Sequence, residues 1–367
     1  MNRMEATTWV LSVCANHLRL SQAKTLSVLV SAALSVQRVT VSQIGRLIGS
    51  VATCKARIKQ AERFIANRRV EVSDAMRGVV QRLLGRQGKR KLLIALDWTQ
   101  IRDFHTLSAC AVIRGRGVPL LWASYKEWDF HRSQNALEEG LLHLLRDMIP
   151  PSIRVILLAD RGFGRTELGR LCQELDFRYL IRIRPDVYVA GKAFTGMLDR
   201  LPIAKGQARL LKNLRYRKTD PVTQNVVVAW KPNLPAKRDE PWFLMTDLSH
   251  RPWKLTDLYG RRMTIEECFR DHKSKRNGFA LRLIQVRTPD RVDRLLLILA
   301  LAYILLMGIG LLARQRYRPS HWCNTNNPRQ CSHFTIGRHM LERMKVSPTQ
   351  ALAAVIAALA DEARNWG

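Results

Sequence analysis

Acidic residues are scarce in this chain of 367 residues: 30 Asp and Glu face 61 Lys and Arg, a formal charge of +31. The excess must be solvated or met by a polyanion, and nucleic acid is the natural partner. RNA and anionic lipid satisfy the same charge, so basicity alone sets only a class. Paired cysteines are also lacking. The seven thiols, at positions 14, 54, 110, 172, 268, 323 and 331, are scattered, odd in number and without a CxxC pair. This argues against a disulfide scaffold and for a reducing compartment. His321-x-Cys323 and Cys331-x-His333 invite a zinc reading, but their spacing is unlike the common zinc modules. The opening MNRMEATTWVLSV lacks signal-peptide architecture, since Glu5 interrupts it. A cytoplasmic protein is expected. With 47% hydrophobic residues the chain is no basic disordered tail.

Long apolar runs are few. The exception, Leu295–Leu312 (LLLILALAYILLMGIGLL), is long enough to span a membrane. One such run, late in a basic chain, reads better as a helix buried between other elements, so no membrane is expected as a partner.

Residues 1–88 carry apolar residues at helical spacing. Residues 1–91 hold 17 Lys or Arg and four acids. Lys55, Arg57, Lys59, Arg63, Arg68 and Arg69 cluster there, as suits a small helical domain contacting phosphates. TVSQIGRLIGSVATCKARIKQAERFIAN hints at a helix-turn-helix. GRQGKRK (85–91) reads as a linker. KLLIALDW (91–98) is a strand buried on both faces, SACAVIRGRGVPLLWASY a hairpin, and SQNALEEGLLHLLRDMI a helix N-capped by Ser133. IRVILLAD, TELGRLCQEL and FRYLIRIR follow as strand, helix and strand. Residues 185–250 alternate in β fashion between turn-rich segments and form a β-rich insertion. Residues 251–314 hold a charged helix and the buried one. The tail, 315–367, ends in two helices whose role, whether packing, DNA binding or dimerisation, stays open.

The most informative residues lie in YGRRMTIEECFRDHK. Tyr259, Arg262, Glu266, Arg270 and Lys273 fall on one stripe at 100° per helical residue. One carboxylate is thus set among three cations with an aromatic ring. Upstream, Asp97 ends KLLIALD and Asp160 ends IRVILLAD, where DRGFGR begins. The spacing Y-x2-R-x3-E-x6-K resembles the YREK signature of the IS4-type family of DDE transposases. The two aspartates stand in the order that family requires, and the resemblance spans roughly residues 90 to 312.

The resemblance implies an α/β ribonuclease-H-like catalytic core, residues 89–184 completed by 251–314, and the order β-β-β-α-β-α-β agrees. It also implies the insertion, which accounts for the 105 residues between Asp160 and Glu266. Asp97, Asp160 and Glu266 would be the catalytic carboxylates, holding two Mg2+ ions, with Mn2+ equally suited to the oxygen ligands. Asp103, Asp176, Asp186, Glu267 and Asp271 fit less well, and Glu267 points about 100° off the stripe.

Tyr259, Arg262 and Lys273 would contact phosphates beside the cleaved bond, with Arg161 and Arg270 as further DNA contacts. Trp242, in PWFLMTDL, resembles the tryptophan that stacks on a flipped base when a DNA hairpin forms; a core position in a strand is the rival reading. Trp98 fits core or substrate equally. The expected partner is double-stranded DNA, at transposon ends and target, bound by a homodimer in a bacterial cytoplasm. A nuclease of the same fold, and an inactive DNA-binding descendant, are the competing readings.

Overall fold

The computed structural model describes residues 3–85, 91–232, 239–324, 327 and 331–365. Most of the linker GRQGKRK, the centre of KPNLPAKRDEP and part of the tail therefore lie outside the described residues.

The apolar run at 92–96 is buried because it forms a central strand. β1 (Lys91–Ile101) pairs antiparallel with β2 (Phe104–Ile113) and parallel with β4 (Arg154–Ala159). β3 (Arg116–Lys126) completes a hairpin with β2, and β5 (Phe177–Arg182) lies parallel beside β4. The β2–β3 turn places Arg114 and Gly115 at φ of 37° and 81°, the positive-φ pair that a two-residue hairpin needs. β1 does not stop at Asp97 as its apolar run suggests. It continues to Ile101, paired only with β2, because the parallel register ends at Leu96 opposite Ala159.

Two helices connect the parallel strands. α6 (Glu127–Met148) begins six residues before Ser133, and two helical stretches meet there at a kink where Ser133 takes a non-helical φ of −137°. α7 (Thr166–Glu174) links β4 to β5.

The insertion is β-rich, with β6 (Tyr188–Gly191), β7 (Phe194–Met197), β8 (Ala208–Tyr216), β9 (Val222–Ala229) and β10 (Trp242–Thr246). It continues the core sheet. β10 pairs antiparallel with β5, and the full order is β3-β2-β1-β4-β5-β10-β9-β8-β6-β7. The polar edge of β5 is satisfied by β10 and not left to solvent.

The charged segment is two helices, α8 (Pro252–Gly260) and α9 (Met263–Lys273). At the junction Arg262, Thr264 and Ile265 each donate to the carbonyl three residues back. This tight turn winds at about three residues per turn, and the Tyr259 hydroxyl still lies where the Arg262 guanidinium and the Asp160 carboxylate act on it.

α10 (Pro289–Arg316) contains the long apolar run. By length and composition it is sufficient to cross a membrane, and its apolar window is wholly buried inside the protein. It packs on β3 and is wrapped by chain from both ends: α2 (Leu20–Leu34) and α4 (Cys54–Ala66) on one side, α11 (His333–Met340) and α12 (Pro348–Arg364) on the other. Gly310 permits that approach, because a Cβ there would stand 1.8 Å from the carbonyl of His333. The terminal helices are thus core-packing elements. In the N-terminal region α3 (Val41–Arg46) lies against α4, N-capped by Thr53, with Gly45 tight on the backbone of Ile58. The side chains of Lys55, Lys59 and Arg63 face outward from α4.

Candidate active site

Asp97 projects from β1 just past the last parallel pair. Its Oδ1 accepts the following amide, Trp98 N–H, at 2.9 Å, and its Oδ2 accepts from Arg262 at 3.1 Å. Burial raises the carboxyl to about 7. The Arg262 guanidinium opposes that rise, and the negative charges of Asp160 and Glu266 add to it. Residues distant in sequence therefore share one electrostatic site.

Asp160 directly follows β4, where a strand gives way to a 3-10 turn over Arg161–Phe163. Its Oδ1 caps that turn by accepting Gly162 N–H at 2.9 Å. Glu266, in the first turn of α9, has a 42% exposed side chain and accepts from Arg262 at 2.5 Å. Arg262 stands between Asp97 and Glu266 and is itself mostly buried. Lys273, at the other end of α9, donates to the hydroxyl of Thr99 on β1. Burial lowers its ammonium to about 8, and neighbouring Arg282 pushes the same way against the pull of Asp97. A groove lined by Asp97, Thr99, Glu266 and Lys273 runs along α9, with Arg270, Lys275 and Arg282 on its wall; Asp160 and Arg262 do not line it.

Residues 88–305, more than half of the chain, match the family model of the transposase DDE domain. The chain belongs to that transposase family. Membership brings DNA as partner, phosphodiester chemistry as reaction class and a general use of divalent metal ions. A comparison with curated proteins finds no match.

In this transposase the remaining sequence candidates divide. Tyr259 is buried, and its ring meets that of Trp242 edge-on at 5.4 Å. Trp242, half-buried at the start of β10, also lies within 5.6 Å of the Arg182 guanidinium and 5.0 Å of the Lys231 ammonium. Arg161 turns to Glu240 at 2.7 Å, and Arg182 shares that carboxylate. Arg270 is 70% exposed and pairs with Glu267 at 2.8 Å. Glu267 also meets Arg116 at 3.1 Å, on a side away from Asp97. Asp271 is buried against Arg116, Tyr303 and Ser332, anchoring α9 to α10 and the tail.

Trp98 packs edge-on against Phe130 at 4.8 Å, and its indole N–H donates to Glu138 at 2.7 Å. Sequence reading missed Glu138. It is fully buried and also receives Arg165, from the segment after Asp160, and Gln134. One carboxylate thus ties the flank of Asp97 to the flank of Asp160. An acid on an amphipathic helix carries no sign of burial. Arg182 was missed too, although the alternation in FRYLIRIR puts it on the same face as two other polar positions.

Among the described residues, no three His, Cys, Asp or Glu side chains converge on a point that would enclose a cation. This applies equally to the zinc reading of His321, Cys323, Cys331 and His333. His333 opens α11, and burial among arginines lowers it to about 3.

Proposed function

We propose that this transposase is of the IS4 type: it binds the terminal inverted repeats of an insertion sequence, cuts there and transfers the freed strand to target DNA. The observation that carries this reading is that Arg262 reaches Asp97 on β1 at 3.1 Å and Glu266 on α9 at 2.5 Å, with Asp160 near enough to add its charge to theirs. Three carboxylates from three separate elements, coupled electrostatically although they do not close on one point, are a hard-oxygen donor set whose mutual repulsion a divalent cation such as Mg2+ or Mn2+ would relieve. Asp97, Asp160 and Glu266 would hold it. When bound, such ions acidify the attacking hydroxyl or water and stabilise the leaving oxygen.

The chain's own residues supply the rest. Arg262 favours the anionic form of Asp97 against the larger effect of burial and presents a planar fork suited to a phosphate. Lys273, anchored on Thr99, offers a point charge further along α9. Trp242, flanked by Arg182 and Lys231, presents an aromatic face among cations, as stacking on a flipped base requires. This supports excision through a DNA hairpin. Residues 1–88 serve end recognition, with α4 as the phosphate- and groove-facing helix. Two ends must be held together, so the active species on DNA is a dimer.

The test is a cleavage assay with Mg2+ on a labelled duplex carrying the element's terminal repeats, comparing wild type with Glu266→Ala on a denaturing gel. Nicks and a hairpin-sized product are expected from wild type and absent from the variant. Nicks that never proceed to joined products would reduce the protein to a nuclease. Binding without metal-dependent cutting would make it an inactive descendant.

A further inference from the structure

A second basic cleft lies beside the candidate active site, and none of the residues already discussed accounts for it. Three stretches of chain far apart in sequence build it: the end of α2 with the residues after it, the segment 275–277 following α9, and α11 with the turn beyond it. The cleft has a volume of about 1470 Å³. Arg38, Lys275, Arg276, Arg338 and Arg343 line it against a single acid, Glu342.

Some arginines elsewhere find carboxylates, as Arg116, Arg165, Arg178 and Arg262 do, although with 61 Lys and Arg against 30 acids many do not. Among the described residues, these five cations form no ion pair. Arg338 instead donates to main-chain carbonyls of Gly278, Val36 and Gln37, so it fastens the three stretches together and leaves its charge uncompensated. Arg343 similarly donates to the carbonyl of His321. An uncompensated basic cleft with polar neighbours such as Gln37, Asn277 and Thr335 is built for phosphates.

Its position names the polyanion. Lys275 lines both this cleft and the groove that holds Asp97 and Glu266. From Lys273 to Arg276 is three residues, at most about 10 Å of chain, or roughly three base pairs at 3.4 Å per pair.

We propose that the α2–α11 cleft carries the duplex DNA leading out of the active-site groove, gripping its phosphate backbone a few base pairs from the cleaved bond. This rests on the transposase reading. It gives the C-terminal tail and the first helices a joint task, since neither builds the cleft alone.

The experiment is fluorescence anisotropy of the full chain on a labelled random-sequence duplex across a salt series, together with the cleavage assay. The triple variant Arg38→Ser, Arg276→Ser, Arg343→Ser removes three exposed charges. The slope of log affinity against log salt should fall by about 0.9 per lost phosphate contact, nearly 3 in all. The matching Arg→Lys triple should retain most of the slope, which separates charge from folding. A control triple, Lys192→Ser, Arg200→Ser, Lys212→Ser, makes the same charge change at exposed positions of the insertion and should leave the slope unchanged. A wild type that binds and cuts while the cleft triple keeps its slope, or loses no more than the control, overturns the cleft alone. A wild type that binds no duplex overturns the cleft and the transposase activity together.

Discussion

Arg262 reaches Asp97 at 3.1 Å across 165 positions of sequence, and among the described residues it is the one cation paired with both Asp97 and Glu266. That guanidinium lowers the Asp97 carboxyl against the effect of burial. Replacing it with alanine removes the opposing term, so the carboxyl moves above about 7 and ionises only at higher pH. In the metal-free protein, the Asp97 carboxyl of Arg262→Ala should titrate at higher pH than in wild type, and that of Arg262→Lys should move less, as followed by carboxyl NMR. A carboxyl that titrates as in wild type would show that Arg262 does not act on Asp97.

Glu138 is fully buried with Arg165, and its loss strands a buried guanidinium. Glu138→Ala should destabilise the fold by about 3–5 kcal/mol in urea unfolding. Glu138→Gln keeps an acceptor for the Trp98 indole and should cost less. In both, the nick rate should fall more than DNA affinity, because Asp97 and Asp160 lose their common tie.

Trp242→Ala should slow hairpin formation or opening about 10- to 100-fold relative to the first nick, the range of one base–aromatic stack. Quantifying nicked and hairpin products over time checks this. If only soluble yield drops, the ring is a core aromatic.

Asp293, on α10, accepts the backbone N–H of Ser124 at 3.1 Å, and its other oxygen is buried without a hydrogen bond among the described residues. Burial raises this carboxyl from 3.8 to about 7. Between those values the folded state binds the extra proton, so stability falls as pH rises from about 4 to about 7 and stays low above that. Asp293→Asn should abolish this share of the pH dependence and raise stability at pH 8 by roughly 1–2 kcal/mol. Chemical denaturation at pH 5 and pH 8 measures it.

Because α2 and α4 pack on α10, deleting residues 1–85 would expose the core and confuse binding with folding. Substitution on the outer face of α4 avoids that. Lys55→Ser with Arg63→Ser should weaken binding to terminal repeats with an unchanged melting temperature, and gel shift with calorimetry tests the pair.

The strands of the α/β core were legible because each is a separate apolar run, and parallel strands buried on both faces leave that mark. Asp97 and Asp160 stood out because each interrupts such a run. The break between α8 and α9 was legible only as Gly260, the last residue of α8, whose poor helix propensity the charged stripe outweighed; Tyr259 packs against Trp242 beside the tighter turn at 261–265. The insertion read as β, but pairing between β5 and β10 is a register across 60 residues that no local pattern specifies.

The sequence by itself determined the charge, the family's order of carboxylates and the character of each long apolar segment, because these depend on residue type and local spacing. Tertiary structure alone decided which charges meet. Arg262 with Asp97, Glu138 with Arg165, and the five unpaired cations of the α2–α11 cleft are products of chain folding back on itself. Coulomb energy and desolvation depend on distance and burial, and neither quantity is written in linear order.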